Sequence, residues 1–403
     1  MAEFLAKQET SGSWNKEALI DWLLTEGPRT ESIAALMDLF CRRLVGYGVP
    51  LWRGSLHLRT LHPLVWGWSY VWWRDRDGFR EVVHAHGGEE TEEYRNSPLR
   101  GIFDDGVDGL RYRIDQLPPP HPYPILTEFQ AQGATDYVAM PIRFSSGHNN
   151  VVSFASDRPG GFDPATLGLL YDVLPALTAI IEAKSLRRLV VNILDTYVGR
   201  DAGLRVLSGD IRRGTAVTMG AVLWYCDLRG FTNLADRLPL DELIGLLNGY
   251  FECMALPVQA RGGDILKFIG DAMLAVFPLG DRDPAAVCDM ALEAAEEALK
   301  GMAELNAERA AWGQPILKAG IALHLGDVMY GNIGAPSRLD FTVIGPAVNL
   351  VTRIEGLCSR LDRVVLSSAV FGRTVSGGRL LSLGWQPVRG LKEPVEVFGM
   401  EPA

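Results

Sequence analysis

From Gly220 to the C-terminus, short β-type runs alternate with longer helical ones, and that order constrains the fold of this chain more than any other feature. The strand-like GAVLWYCD is followed by the helical pattern LDELIGLLNGYFECMALPVQAR, the hairpin GGDILKFIGDAMLAVFP and the helix DPAAVCDMALEAAEEALKGMAELNAERAAW. Then come strand LKAGIALHLG, hairpin strands in DVMYGNIG and LDFTVIG, helix PAVNLVTRIEGLCS, strand VVLS and a terminal strand near PVEVFGM. Strands separated by helices, with hairpins between them, predict an α/β (α+β) sandwich with one helical layer rather than a fully wound parallel sheet. Asp283 followed by Pro284 supplies a cap and a first-turn proline for the second helix.

At 403 residues the chain exceeds one ordinary core. Seven of its ten tryptophans, Trp14, Trp22, Trp52, Trp66, Trp68, Trp72 and Trp73, fall early. The first part opens with a helical pattern on Ile33, Leu36, Met37, Phe40 and Leu44, followed by strand-like LVWGWSYVWWRD, TDYVAMPIRF and NVVSFASD. Gly87 to Pro124, polar and rich in glycine and proline, is expected as an excursion over the surface. A long helical pattern from about Ala165 to Tyr197 contains Pro175, which should kink it. That helix suits either a parallel dimer stalk or ordinary packing. The expected organisation is a first domain over 1–184, a helical linker and polar connector over 185–217, and a second domain over 218–403.

The net charge of -10 argues against nucleic acid or an anionic membrane surface as partner. Five scattered cysteines, with no CxxC pair, fit reduced thiols of a cytoplasmic protein better than a disulfide frame or a zinc site. No signal peptide is seen, and no run reaches the roughly 18 uninterrupted apolar residues of a membrane span. His84 and His86, two apart without further ligands, are expected as surface residues of a strand.

In AVLWYCDLRGFTNLADRLP, Asp227 stands behind an apolar run and is followed at once by Arg229, Gly230, Phe231 and Thr232. An ionised carboxylate there is costly unless something positive meets it, either Arg229 or a bound cation. Asp271 sits in a similar setting, after FIG and before AMLAVF. Two carboxylates at strand ends beside glycine turns suit divalent ions that bridge to substrate phosphates. The backbone from Leu228 through Thr232, turning at Gly230, can aim amides at an anion. Asn349 and Arg353, at i and i+4, share one helix face. The alternatives are a turn-capping role for each Asp, a capping role for Asn349 and a surface pair of Arg353 with Glu355.

YCDLRGFT, KFIGDAMLAVF and FTVIGPAVNLVTRIE together resemble the signature segments of class III nucleotidyl cyclases, over about Thr218 to Phe398. The resemblance implies a ferredoxin-like catalytic domain that makes cyclic AMP and pyrophosphate from ATP, with two Mg²⁺ or Mn²⁺ ions per site. It implies metal binding by Asp227 and Asp271, adenine contact by Lys267, and base selection by Thr342, in the subgroup carrying Lys and Thr. It implies that Asn349 orients the ribose and that Arg353 stabilises phosphate charge, while Arg389 or Lys392 assists phosphate binding. It further implies a homodimer, because the family builds each site from two catalytic domains. Lys267 is a donor that suits the acceptor N1 of adenine, whereas guanine presents a donor there. A guanylate cyclase, a homologue that only binds nucleotide, and a diguanylate cyclase are the competing readings; RGGDILKF has only a superficial likeness to the turn the last would need. The first part resembles a GAF-type sensor in layout, with a PAS-like sensor or a plain dimerisation domain as alternatives. Its small-molecule ligand is not named by the sequence, and it is expected to regulate the second domain through the helix over 165–199.

Overall fold

The computed structural model describes residues 15–118 and 120–400; Trp14 and the outermost residues of the two expected domains lie outside them. The chain divides into two compact units, residues 1–193 and 194–403.

In the first unit, α1 (Lys16–Thr25) and α2 (Ile33–Gly46) begin at the caps Asn15 and Ser32, whose side chains accept from the amides of Ala18 and Ala35. The sheet is antiparallel in the order β3-β2-β1-β6-β5-β4, from β1 (Arg53–Arg59), β2 (Val65–Trp73), β3 (Phe79–Ala85), β4 (Leu110–Tyr112), β5 (Asp136–Arg143) and β6 (Asn149–Ser156). On one face, Leu36, Phe40, Leu56, Leu58, Trp68, Trp72 and Phe154 pack with Leu170, Leu177 and Ile181. The other face buries Trp52, Tyr137, Ala139 and Val151 under Ile102, Phe103, Ile114 and Phe129.

That second core corrects the expectation of a surface excursion over 87–124. The segment forms α3 (Glu92–Arg95), α4 (Arg100–Phe103) and β4, and α5 (Pro124–Ala131) follows it. Its few apolar residues are enough to roof the sheet, despite the polar composition between them. His84 and His86 bond to Ser69 Oγ and His62 O, and among the described residues no His, Cys, Asp and Glu cluster is arranged to hold a metal.

α6 (Pro164–Tyr197) continues through Pro175 as a single helix. The proline is exposed, while Val173, Leu174 and Leu177 beside it are buried, so packing offsets the lost amide bond. By length and composition α6 is apolar enough to cross a membrane, with a mean hydropathy of 1.5 in its most apolar window, although charged residues and Pro175 interrupt its apolar run. Leu170, Val173, Leu174, Leu177, Ile180 and Ile181 face the first unit's core, and 39% of that window is buried.

In the second unit, α7 (Arg200–Leu207) corrects the expected polar connector, because Ala202 is fully buried with Leu266 and Tyr330. A positive φ of 96° at Gly199 makes the turn from α6. The sheet contains β7 (Ala216–Leu228), β8 (Asp264–Ile269), β9 (Ala272–Pro278), β10 (Ala319–Ala335), β11 (Arg338–Ile344), β12 (Val365–Ser368), β13 (Leu381–Gln386) and β14 (Val395–Gly399). Their order is β13-β14-β12-β10-β7-β9-β8, with β11 on β10. β7, α9 (Leu240–Ala260), β8, β9, α10 (Pro284–Ala311) and β10 form a βαββαβ unit whose adjacent strands are antiparallel, as a ferredoxin-like layout requires. β10 is one long strand where two were expected.

β7 is central and therefore apolar on both faces. Trp224 and Cys226 pack with Tyr250, Phe277 and Leu292 under α9 and α10. Ala221 and Leu223 point the other way, to Val351 and Ile354 of α11 (Pro346–Glu355). Helices thus cover both faces, which corrects the expected single helical layer; the buried stripe Ala347, Val351 and Ile354 requires a surface of its own.

Candidate active site

Asp227 ends the apolar part of β7 and is paired with Ala272, the residue after Asp271. The turn between β8 and β9 uses a φ of 64° at Gly270, and it brings both carboxylates to the same end of neighbouring strands. Burial and then the adjacent Asp271 push the Asp227 carboxyl up to about 6, although the Leu228 amide opposes the shift by hydrogen bonding to it. Glu355 faces the same place. Burial, followed by the charge of Asp227, pushes it up to about 7, with Arg229 acting in the opposite direction.

The two candidate partners of Asp227 are now distinguishable. Arg229 Nη2 donates to Arg363 O at 2.7 Å, and its charge acts on Glu355 and Cys358. Among the described residues Asp227 makes no ion pair. A pair of crowded, partly desolvated carboxylates with no ion-pair partner fits a hard divalent ion whose remaining ligands are phosphate and water oxygens. No three His, Cys, Asp and Glu side chains among the described residues are arranged to hold an ion by themselves, so an ion at the pair would need further ligands from outside it.

After Asp227 the chain turns at Gly230, with φ 74°, into α8 (Phe231–Ala235). The Arg229 amide donates to Lys318 O at 2.7 Å, and the Leu228 side chain is in the core. Of the expected anion-facing backbone, Gly230, Phe231 and Thr232 therefore remain as first-turn amides. Phe231 also packs its ring against the core.

Lys267 on β8 reaches over to β11, where Thr342 is buried. Lys267 Nζ pairs with Asp340 Oδ2 at 3.2 Å, and Asp340 and Thr342 lie on the same face of β11. On α11, Asn349 is exposed and Gly345, not Asn349, occupies the cap position. Arg353 does not pair with Glu355. Its Nη1 reaches Gly390 O at 3.5 Å, in the exposed loop that carries Arg389 and Lys392. Among the described residues no hydrogen bond or ion pair joins the Asp227 group to the Lys267 group.

Two residues escaped the sequence reading. Asp340 lies two positions before Thr342 and had no motif to mark it. Glu355, two residues after Arg353, reads in the sequence only as a partner for that arginine. A signal for Glu355 existed in Gly320, a glycine inside a strand opposite Asp227, where a Cβ would stand 2.2 Å from Glu355 Oε1.

Residues 217–398 match the family described as the adenylate and guanylate cyclase catalytic domain. An adenylate cyclase of Anabaena cylindrica is 34% identical over 198 residues, covering 48% of this chain and 37% of that protein. Adenylate cyclase 2 of Rhizobium meliloti is 33% identical over 241 residues, covering 57% of this chain and 62% of that protein. The chain thus spans less than two thirds of the length of these relatives. Among solved structures, the adenylyl cyclase CyaB from P. aeruginosa is 26% identical with a TM-score of 0.43, covering 47% of this chain and 97% of that one.

Proposed function

We take residues 217–398 as an adenylate and guanylate cyclase catalytic domain and propose that the chain converts ATP to 3',5'-cyclic AMP and pyrophosphate. The observation that carries this reading is the pair Asp227 and Asp271, crowded at two neighbouring strand ends and without an ion-pair partner among the described residues. Divalent ions held there would supply an activated 3'-hydroxyl and shielding of phosphate charge.

The remaining work falls to side chains of the protein. Lys267 donates to the acceptor N1 of adenine, and Asp340, two residues before Thr342 on β11, holds the ammonium in place. Asn349 orients the ribose. Arg353 opposes the charge that builds on the phosphates, and Arg389 or Lys392 adds a second cation from the loop that Arg353 touches. The 3'-oxygen forms its bond to the α-phosphorus as the bond to the bridging oxygen breaks, expelling pyrophosphate.

We further propose a homodimer in which Asp227 and Asp271 of one chain meet Lys267, Thr342, Asn349 and Arg353 of the other. The exposure of Phe268, Ile269 and Ile344, at 52%, 49% and 45%, supports a second copy covering the surface next to Lys267 and Thr342. The first unit is proposed as a GAF-like sensor, on the strength of its antiparallel sheet roofed on one face and its continuation into α6.

The test is incubation of the full chain with ATP or GTP and Mn²⁺ or Mg²⁺, with products identified by mass spectrometry and Asp227→Ala as control. Cyclic AMP from the wild type alone supports the proposal. Cyclic GMP as the main product overturns the base assignment, and nucleotide binding without turnover overturns the enzyme.

A further inference from the structure

We propose that the roofed face of the first unit's sheet binds a small organic carboxylate, gripped by the Arg53 guanidinium and walled by Trp73 and Phe129. Arg53, Ser55 and His57 alternate along β1 and so share one face. Ser55 lies opposite Ser153 of β6, and His57 opposite Ser69 of β2. From these registers comes a continuous polar chain. Ser153 Oγ meets Ser55 Oγ at 2.7 Å, Ser55 Oγ meets His57 Nε2 at 3.0 Å, His57 Nδ1 meets Ser69 Oγ at 2.7 Å, and Ser69 Oγ meets His84 Nε2 at 2.7 Å.

Within that chain the hydroxyls and ring nitrogens satisfy one another. Arg53 is the exception. Its single hydrogen bond, from Nη1 to Ser55 Oγ, is long at 3.5 Å, and among the described residues no carboxylate pairs with it. Its neighbours at the same end of the sheet are treated differently: Arg111 pairs with Asp136 and Arg74 with Asp157. Arg53 instead lies 4.9 Å from the Phe129 ring centroid and 5.7 Å from that of Trp73. Burial disfavours its charged form, and only Tyr137 acts to sustain it. Burial, and then Arg53 itself, drive His57 down to about 3, so the histidine stays neutral and adds no second charge.

A mostly enclosed guanidinium without an anion is an incomplete arrangement. One planar cation beside neutral hydroxyls matches one planar anion with two acceptors, which is a carboxylate. The aromatic walls match an apolar or aromatic body on that anion. The inference deepens the sensor reading of the first unit by naming the chemistry of its ligand. Its readout is binding, so its failure and a failure of the cyclase reading are distinguishable.

Benzoate is a suitable probe, titrated into the full chain by calorimetry and by tryptophan fluorescence, with acetate and inorganic phosphate in parallel. We expect saturable benzoate binding with a rise in Tm, weaker acetate binding and no phosphate binding. Arg53→Met should lower benzoate affinity at least roughly tenfold, the scale of a lost charge-assisted pair. Arg76→Met, whose guanidinium is exposed and also stacks on Trp73, should leave the affinity unchanged. Should Arg53→Met misfold, Phe129→Ala keeps the charge and removes a wall, and it should weaken benzoate more than acetate. The proposal is overturned if the wild type gives no saturable response to benzoate, if phosphate binds in its place, or if either variant at the site binds benzoate as the wild type does.

Discussion

Lys267 Nζ stands 3.2 Å from Asp340 Oδ2, in a pair whose side chains both retain contact with water. Such a pair contributes little to stability, on the order of 1 kcal/mol or less. Its effect is to fix where the ammonium points. Asp340→Asn should therefore leave Tm nearly unchanged and lower kcat/KM for ATP about tenfold, as expected when one positioning contact at a base is lost. Lys267→Glu should lower ATP turnover further without weakening metal binding. Steady-state kinetics with ATP and GTP and a Mn²⁺ titration check both; equal losses of Tm and activity in Asp340→Asn would assign the pair to folding instead.

Gly320 faces Glu355 across the end of β10, where a Cβ would meet Glu355 Oε1 at 2.2 Å and Cys358 Cβ at 3.2 Å. The glutamate tip is flexible, so Gly320→Ala should displace it at a stability cost of about 1 kcal/mol. Activity should fall much more, because Glu355 is set against Asp227 and Asp271. In Gly320→Ala/Glu355→Ala the stability loss should largely disappear, since the second change removes the clash. Thermal unfolding of the three variants measures this coupling, and strictly additive losses would rule it out.

Asp264 opens β8 with its Oδ2 buried and without a hydrogen-bond partner, and burial followed by the charges of Asp201 and Asp195 pushes it up to about 6. The folded state thus holds this proton more tightly than the unfolded chain does. The associated stability is fully present below the ordinary pKa of 3.8 and is lost as pH rises to about 6. Asp264→Asn has no such loss. Its advantage over wild type should reach about 2 kcal/mol at pH 7 to 8, allowing for partial solvent contact, and close below about pH 4. Tm measured across this range decides it, and a constant difference would show that the charge is not responsible.

The βαββαβ order of the second unit was legible in the sequence because each element there has a period of its own, and Asp227, Asp271, Lys267, Thr342, Asn349 and Arg353 lay within recognisable segments. Neighbours were not legible. Asp340 acts through the approach of β11 to β8, and Glu355 through the space left by Gly320 on another strand. The roof of the first unit was missed for a related reason: Ile102, Phe103 and Ile114 are too widely spaced among polar residues to show a period, yet they share one sheet face once folded. α7 looked like a connector because a helix of this length buries only a side chain or two, here Ala202. Arg229 was ambiguous beside Asp227 until the fold placed Arg363 O within its reach.

α6 presents Ala179, Ala183, Leu186, Val190 and Ile193 on its exposed side, at alternating spacings of four and three residues. Leu186, Val190 and Ile193 are 53%, 48% and 39% exposed. This spacing fits the seam of a two-stranded coiled coil, and we propose that this half of the helix forms such a stalk. In a parallel pair Glu182 would flank the seam opposite the partner's Arg187, five positions on in the chain. Ser145 already fixes Glu182 by donating from its amide to Oε1 at 2.8 Å, which leaves Oε2 for that contact. Leu186→Lys/Val190→Lys should convert a dimer to monomer, as measured by light scattering on the full chain. Turnover should then become steeply dependent on protein concentration, because each site of the proposed homodimer draws residues from two chains. Glu182→Arg and Arg187→Glu should each weaken the dimer by about 0.5 kcal/mol, and the double reversal should restore it. A dimer of unchanged mass and affinity in the double-lysine variant would place dimerisation elsewhere and leave α6 without the stalk role.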